Sequence, residues 1–182
     1  QADICCTSAN AINVINQIEE GKEIIFVPDQ WLGAYAAKKT GRKLILWPGF
    51  CPTHMKIIPE VIDKKRKEHP EACVILHPEC REDSLALADE IFGTGGMLNY
   101  VKKSSKREFI IGTETGIIYR LKKENPEKEF YPAQDMAICP NMKLTTLEKV
   151  LWSLEEEAYK IQVSKEIAQR ASVAIEKMLA IK

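Results

Sequence analysis

The sequence has no excess of either charge: 26 Lys and Arg are matched by 26 Asp and Glu. There is no long-range positive field to draw in a nucleic-acid backbone or an anionic membrane, so neither partner is expected. No apolar run approaches the ~20 residues that cross a bilayer, and no basic segment followed by an apolar one stands at the start. A cytoplasmic location is the default expectation. Gly and Pro are sparse, at nine each, and 45% of the residues are hydrophobic, which excludes a disordered or fibrous chain. The six cysteines, Cys5, Cys6, Cys51, Cys73, Cys80 and Cys139, lie too far apart for a small disulfide scaffold. In a reducing compartment they serve as core residues, metal ligands or catalysts. The chain opens at Gln1 rather than Met and runs straight into a buried-type segment, so an upstream part is expected.

What is present is an alternation. With 182 residues there is room for one domain or two small ones. Compact apolar runs at 23–27, 43–47, 72–76, 108–111 and 129–131, a short one at 90–92 and a first one at 1–6, read as strands. Helical spacing falls between them: after Thr7-Ser8, where Ser8 or Asn10 would cap, then at 30–39, 57–68, 81–89, 97–103 and 115–124, with a helical tail over 145–179. Strands alternating with helices across short turns imply parallel α/β layers, in which ligands sit at the carboxyl ends of the strands.

An internal repeat accompanies the alternation. A shift of 84 residues carries Tyr35 to Tyr119, Lys38-Lys39 to Lys122-Lys123, and Trp47-Pro48 to Tyr131-Pro132. Each unit closes on a Cys-Pro pair, Cys51-Pro52 and Cys139-Pro140, the second after a loop four residues longer. Equivalent loops carrying one cysteine each suit thiolate ligation of a shared metal centre, and two buried thiols are the plain alternative. Cys51-Pro52-Thr53-His54 also has the form of half a zinc site, with no second closely spaced pair. His77-Pro78-Glu79 at a strand end is either an acid/base pair or a helix-entry turn. Gly93-Thr94-Gly95-Gly96 offers a phosphate or carboxylate cradle or a tight turn, without the Lys of a P-loop or the dinucleotide glycine spacing. The acidic run Glu155-Glu156-Glu157 reads as a solvated face.

Six motifs stand in order: Cys6-Thr7-Ser8-Ala9-Asn10-Ala11, Val27-Pro28-Asp29-Gln30-x-Leu32-Gly33-x-Tyr35, Trp47-Pro48-Gly49-x-Cys51-x-x-His54, His77-Pro78-Glu79-Cys80, Gly93-Thr94-Gly95-Gly96-Met97, and Cys139-x-x-Met142-Lys143-x-x-Thr146-Leu147. Together they resemble the quinolinate synthase family over nearly the whole chain. The resemblance implies condensation of iminoaspartate with dihydroxyacetone phosphate to quinolinate in NAD biosynthesis. It also implies a [4Fe-4S] cluster held by three cysteines where three related α/β domains meet. Carried across, Cys51 and Cys139 match cluster ligands, His77, Glu79 and His54 match active-site residues, and Ser8 and Thr94 match substrate-binding hydroxyls. Gly93 stands where many members have Ser, so a backbone amide would replace a hydroxyl there.

The family's first third, with the first cluster cysteine and a His and a Tyr at the substrate, has no counterpart in this sequence. The resemblance therefore implies an α/β fold of pseudo-repeated three-layer αβα units with short parallel sheets, lacking the first of three domains. The expected units are 21–80 and 81–144, with 1–20 and 145–182 packing against the missing N-terminal part. Cys5, Cys6, Cys73 and Cys80 are expected to be structural, and this chain alone is expected to be inactive. An open iron would act as a Lewis acid while Glu79 and His77 move protons. The rival expectation is a non-catalytic module that binds small anions without a cluster.

Overall fold

The run from Ala72 to Leu76 is apolar at every position, and a strand apolar on both faces has to be covered on both. It forms β3 (Cys73–Leu76), buried along its whole length. In the computed structural model, which describes residues 2–181, β3 lies inside a four-stranded parallel sheet. β4 (Glu90–Ile91) borders it on one side, β5 (Glu108–Gly112) on the other, and β6 (Glu129–Pro132) lies beyond β5.

Alternation along the strands divides the core into two layers. Cys73, Ile75, Phe109, Ile111 and Phe130 face Met97 and Val101 of α5 (Thr94–Lys103) and Leu121 of α6 (Ile117–Glu124). Val74, Leu76 and Ile110 face Ile62 of α3 (Pro59–Glu68) and Leu85 of α4 (Glu82–Leu85). The result is the expected three-layer αβα arrangement. Phe109 and Phe130 stack with ring centroids 5.6 Å apart. Each large side chain removed from water in this way contributes about 1.5–3 kcal/mol.

Thr7–Ile138 make up one compact unit, and the described parts of Gln1–Cys6 and Cys139–Lys182 make up another. Within the first, β1 (Ile25–Phe26) and β2 (Ile45–Leu46) form a separate two-stranded parallel sheet, linked by α2 (Gln30–Thr40). Gly41, at φ 69°, ends α2 and returns its N–H to Ala37. α1 (Ala11–Gln17) packs on α2. The repeat is visible as strand, helix, parallel strand in both β1–α2–β2 and β5–α6–β6. Pairing joins Ile25 to Ile45 in the first and Phe109 to Phe130 in the second, a separation of 20 (45 − 25) against 21 (130 − 109).

Several expectations change. The boundary placed at residue 80 runs through the four-stranded sheet, because β3 bonds to β4 and β5 rather than to β1 or β2. The doubly apolar strand needs neighbours on both edges. The described part of the segment 1–6, residues 2–6, forms no strand: Cys5 donates its N–H to the carbonyl of Ala174, and Lys177 Nζ bonds to the carbonyl of Asp3. Its partner is α8 (Lys165–Leu179), so 1–6 groups with the tail while 7–20 belong to the first unit. The tail itself is two helices, α7 (Leu147–Glu155) and α8. Three consecutive glutamates at the end of α7 oppose the helix dipole, and Glu157 and Tyr159 take positive φ angles of 49° and 62° in the break. Ser8 does not cap α1. The turn before that helix is tied instead by the side chain of Asn10, which accepts from the Thr7 N–H at 2.7 Å.

Candidate active site

In the order β4-β3-β5-β6, the chain leaves β3 toward α4 on one face of the sheet and leaves β5 toward α6 on the other. The loops diverge and open a crevice at the carboxyl ends of these two strands, the usual ligand position in such sheets. His77 follows β3, Thr113 follows β5, and both are buried. The His77 N–H donates to the carbonyl of Gly112, so the two strand ends are still hydrogen-bonded where the loops part.

A turn closed by the Cys80 N–H on the carbonyl of His77 brings Glu79 back beside His77. Glu79 N–H donates to His77 Nδ1 at 3.3 Å, and Glu79 Oε2 lies 3.8 Å from the same nitrogen. The two side chains of the expected pair are thus brought together by a turn. Glu79 precedes α4 and is not part of it.

The third member arrives from the Cys51 loop. A short helical turn, His54–Lys56, places the His54 ring flat on the His77 ring, with centroids 4.4 Å apart and planes 8° from parallel. His54 Nδ1 is 3.0 Å from Glu79 Oε2 but makes no aligned hydrogen bond. On the opposite edge, His54 Nε2 and Thr113 Oγ1 are 3.0 Å apart, a contact the hydroxyl can make as donor or acceptor. Lys56 Nζ bonds to the carbonyl of Met136, and Ser84 Oγ donates to the carbonyl of Ile57, so the loop is anchored past the site as well.

These contacts set the charges. Burial, followed by the neighbouring His54, lowers His77 from 6.5 to about 4, so it is neutral at pH 7. Glu79 is held below the usual carboxylate range, first by its contact with His54 and then by the two nearby rings, against an opposing effect of burial. The site is therefore an ionised carboxylate next to a neutral imidazole whose Nδ1 already accepts a hydrogen bond. Cys80, fully buried, has its thiol pushed up to about 12 by burial, so it is a core residue, as is Cys73.

Cys51 sits at the mouth of the same loop, half-buried. Its position is set by Asp29, which stands in the Val-Pro-Asp-Gln motif but has no role legible there. Asp29 Oδ1 accepts from the N–H groups of Trp31 and Leu32 and caps α2, while Oδ2 accepts the Cys51 N–H at 2.9 Å. Burial raises the Asp29 carboxyl, the charge of Glu79 adds to the rise, and the three amides oppose it. One carboxylate thus joins a helix start to the cysteine loop. Thr113 likewise carries no signal in the sequence. The Gly112–Glu114 loop stands at a strand end, but no pattern in it singles out the hydroxyl.

The remaining candidates fall in two places. Ser8 and Gly93 adjoin at the end of β4: a side chain at 93 would begin 2.7 Å from Ser8 Oγ, so glycine leaves the space that the Ser8 hydroxyl takes. Thr94 is the first residue of α5 and is exposed there. Phe92 N–H donates to the carbonyl of Leu76, which ties this strand end to the one that carries His77. Cys139 belongs to the other unit. Its loop repeats the Cys51 loop bond for bond: Met55 N–H to Cys51 and Lys143 N–H to Cys139, then Ile57 to His54 and Thr145 to Met142.

Comparison with known proteins is consistent throughout. The model of the quinolinate synthetase A protein family matches residues 1–180. The chain is 48% identical over 181 residues to quinolinate synthase of Dehalococcoides mccartyi and 50% identical over 181 residues to that of Desulforudis audaxviator, each covering 100% of this chain. Quinolinate synthase 1 of Methanosarcina acetivorans is 50% identical over 179 residues, 98% of this chain. The chain spans about 60% of the length of these relatives. On the family match, the shared motifs and the three-layer fold, this chain belongs to the quinolinate synthetase A family.

Proposed function

We propose that the chain supplies most of the reaction centre of a quinolinate synthase, which condenses iminoaspartate with dihydroxyacetone phosphate. The observation that carries this reading is the His54–Glu79–His77 array, its two rings buried, at the switch point of the sheet. Building an aromatic ring by condensation and dehydration requires a base to take a proton from carbon and an acid to hand one to a departing oxygen. Glu79, ionised, is the base. His77 is neutral, and because its Nδ1 accepts from the Glu79 amide, its proton sits on Nε2, from which it can be donated. His54, braced by Thr113, sets its Nδ1 edge 3.0 Å from the Glu79 carboxylate.

Ser8 Oγ, Thr94 Oγ1 and the free amides at the start of α5 are suited to a substrate carboxylate or phosphate. Gly93, buried, leaves room for the Ser8 hydroxyl beside the start of α5. Taken residue by residue, the chemistry of two loop thiols supports the [4Fe-4S] cluster that the motifs imply. Cys51 is half-buried in a loop fixed by Asp29, and Cys139 begins a turn of the same hydrogen-bonded form. The third thiolate would come from the part of the family's length outside this chain. When bound, the cluster supplies an open iron as a Lewis acid for a substrate oxygen.

The test uses a longer protein containing this chain, reconstituted without oxygen, with iron content and quinolinate measured in parallel. Glu79→Gln is expected to keep the iron and abolish turnover, whereas Cys51→Ser and Cys139→Ser lose both. Turnover surviving in Glu79→Gln would remove Glu79 from the reaction. Binding of dicarboxylates without any turnover in the unsubstituted protein would favour a non-catalytic anion-binding module.

A further inference from the structure

We propose that Cys51, His54 and Glu79 form a mononuclear site for a divalent cation of the zinc class, distinct from any iron-sulfur cluster that uses Cys51. One ligand atom from each of the three residues lies within 4.8 Å of the other two. In a tetrahedral site with bonds of about 2.0–2.3 Å, ligand atoms stand roughly 3.3–3.8 Å apart. The required contraction is about 1 Å, within the reach of a loop cysteine and a quarter-exposed carboxylate. The Cys-x-x-His spacing already places two of the three on one loop. Glu79, distant in sequence, is the third.

The histidine argues most strongly. His54 is 7% exposed, and its Nδ1 is buried, aimed at the Glu79 carboxylate, and without an aligned hydrogen bond. Its other nitrogen has a buried partner in Thr113 Oγ1. This is the arrangement of a metal-bound imidazole, in which an outer hydroxyl or carbonyl accepts the distal N–H and turns the lone pair toward the ion. Binding would release the Cys51 thiol proton to solvent, and thiolate, carboxylate and dication would sum to zero charge. Such neutrality suits a partly buried site. A sulfur, nitrogen and oxygen set favours zinc or cobalt over magnesium or calcium, and three protein ligands leave a fourth position for water.

Occupancy has a consequence for the proposed activity. Cys51 cannot ligate a single cation and a cluster together, and a coordinated Glu79 cannot act as a base. Zinc would therefore hold the protein in a cluster-free, inactive form. The site itself requires nothing from the quinolinate synthase reading, so either can fail alone.

The test is a cobalt titration of the reduced, metal-free 182-residue chain. One cobalt per chain is expected, with a thiolate-to-cobalt charge-transfer band and the intense visible bands of tetrahedral cobalt, all displaced by zinc. Cys51→Ser should lose the charge-transfer band, and Cys139→Ser should keep it, which separates this site from a cluster site. Thr113→Val should weaken cobalt binding by about 10- to 100-fold while retaining the band at saturation. In the unsubstituted chain, zinc should protect Cys51 from alkylation as followed by mass spectrometry, a readout that depends on no variant folding. Absence of the band and of that protection, or a band that survives Cys51→Ser, would overturn the proposal.

Discussion

Burial and a second imidazole stacked at 4.4 Å make a charge on His77 costly, and His77 is kept neutral. Its folded pKa of about 4 lies below the ordinary 6.5, so the unfolded chain binds the extra proton between those values. Stability therefore rises with pH across that window and is lost as pH falls below 6.5. From pH 7 to pH 5 the loss attributable to His77 is about 2 kcal/mol. His77→Gln removes the titrating group, so its unfolding free energy should fall by about 2 kcal/mol less over the same interval in paired urea denaturations. An unchanged difference would mean that His77 is not the residue titrating. The residues proposed to react were legible in the sequence because a His-Pro-Glu turn and a Cys-x-x-His loop are unusual strings. Asp29 and Thr113 were not, because one reads as an ordinary helix cap and the other as an ordinary loop threonine. What each does depends on a partner from a distant segment, Cys51 and His54 respectively.

Among the elements, α2 carries the site through its first turn. Asp29 uses separate oxygens for the helix and for the cysteine loop, and this permits the two tasks to be separated. Asp29→Ala should cost about 1–2 kcal/mol as a lost cap and speed hydrogen exchange at Trp31, Leu32 and Cys51 together. Asp29→Asn keeps one carbonyl oxygen for the helix amides but turns an NH2 toward the Cys51 N–H. Faster exchange at Cys51 alone is then expected, and equal acceleration at all three amides would show that the two contacts are not independent. The strongest element, β3, was plain in the sequence because a strand buried on both faces is apolar without interruption. The weak ones were not. Residues 1–6 have a strand-like composition, yet the Cys5 N–H goes to a helix carbonyl at Ala174, and composition cannot identify a partner 169 residues away (174 − 5). The limits of β1 and β2 shrank to two residues each for a related reason: pairing stops where the partner strand stops.

At the scale of the whole molecule, the four-stranded sheet is covered on both faces, but the two-stranded one is not. Phe26 is buried under α2, whereas Ile25, Val27, Ile45 and Trp47 on the other side are 71%, 51%, 50% and 58% exposed. A contiguous apolar face on a parallel sheet is unusual unless something covers it. The relatives' sequences are longer, with about 40% of their length outside the match (100 − 60). Ile25→Thr with Ile45→Thr keeps β-branched residues in both strands while removing apolar surface. In the 182-residue chain this double substitution should leave unfolding within about 0.5 kcal/mol of the parent, because both sites are exposed, and should reduce binding of a hydrophobic dye. In a longer protein containing this chain, the same change should cost about 1.5–3 kcal/mol per buried site if the additional sequence packs there. Denaturation of both lengths with and without the two substitutions gives the comparison directly. Equal effects in the short and long proteins would show that the added sequence leaves this face open and covers some other surface.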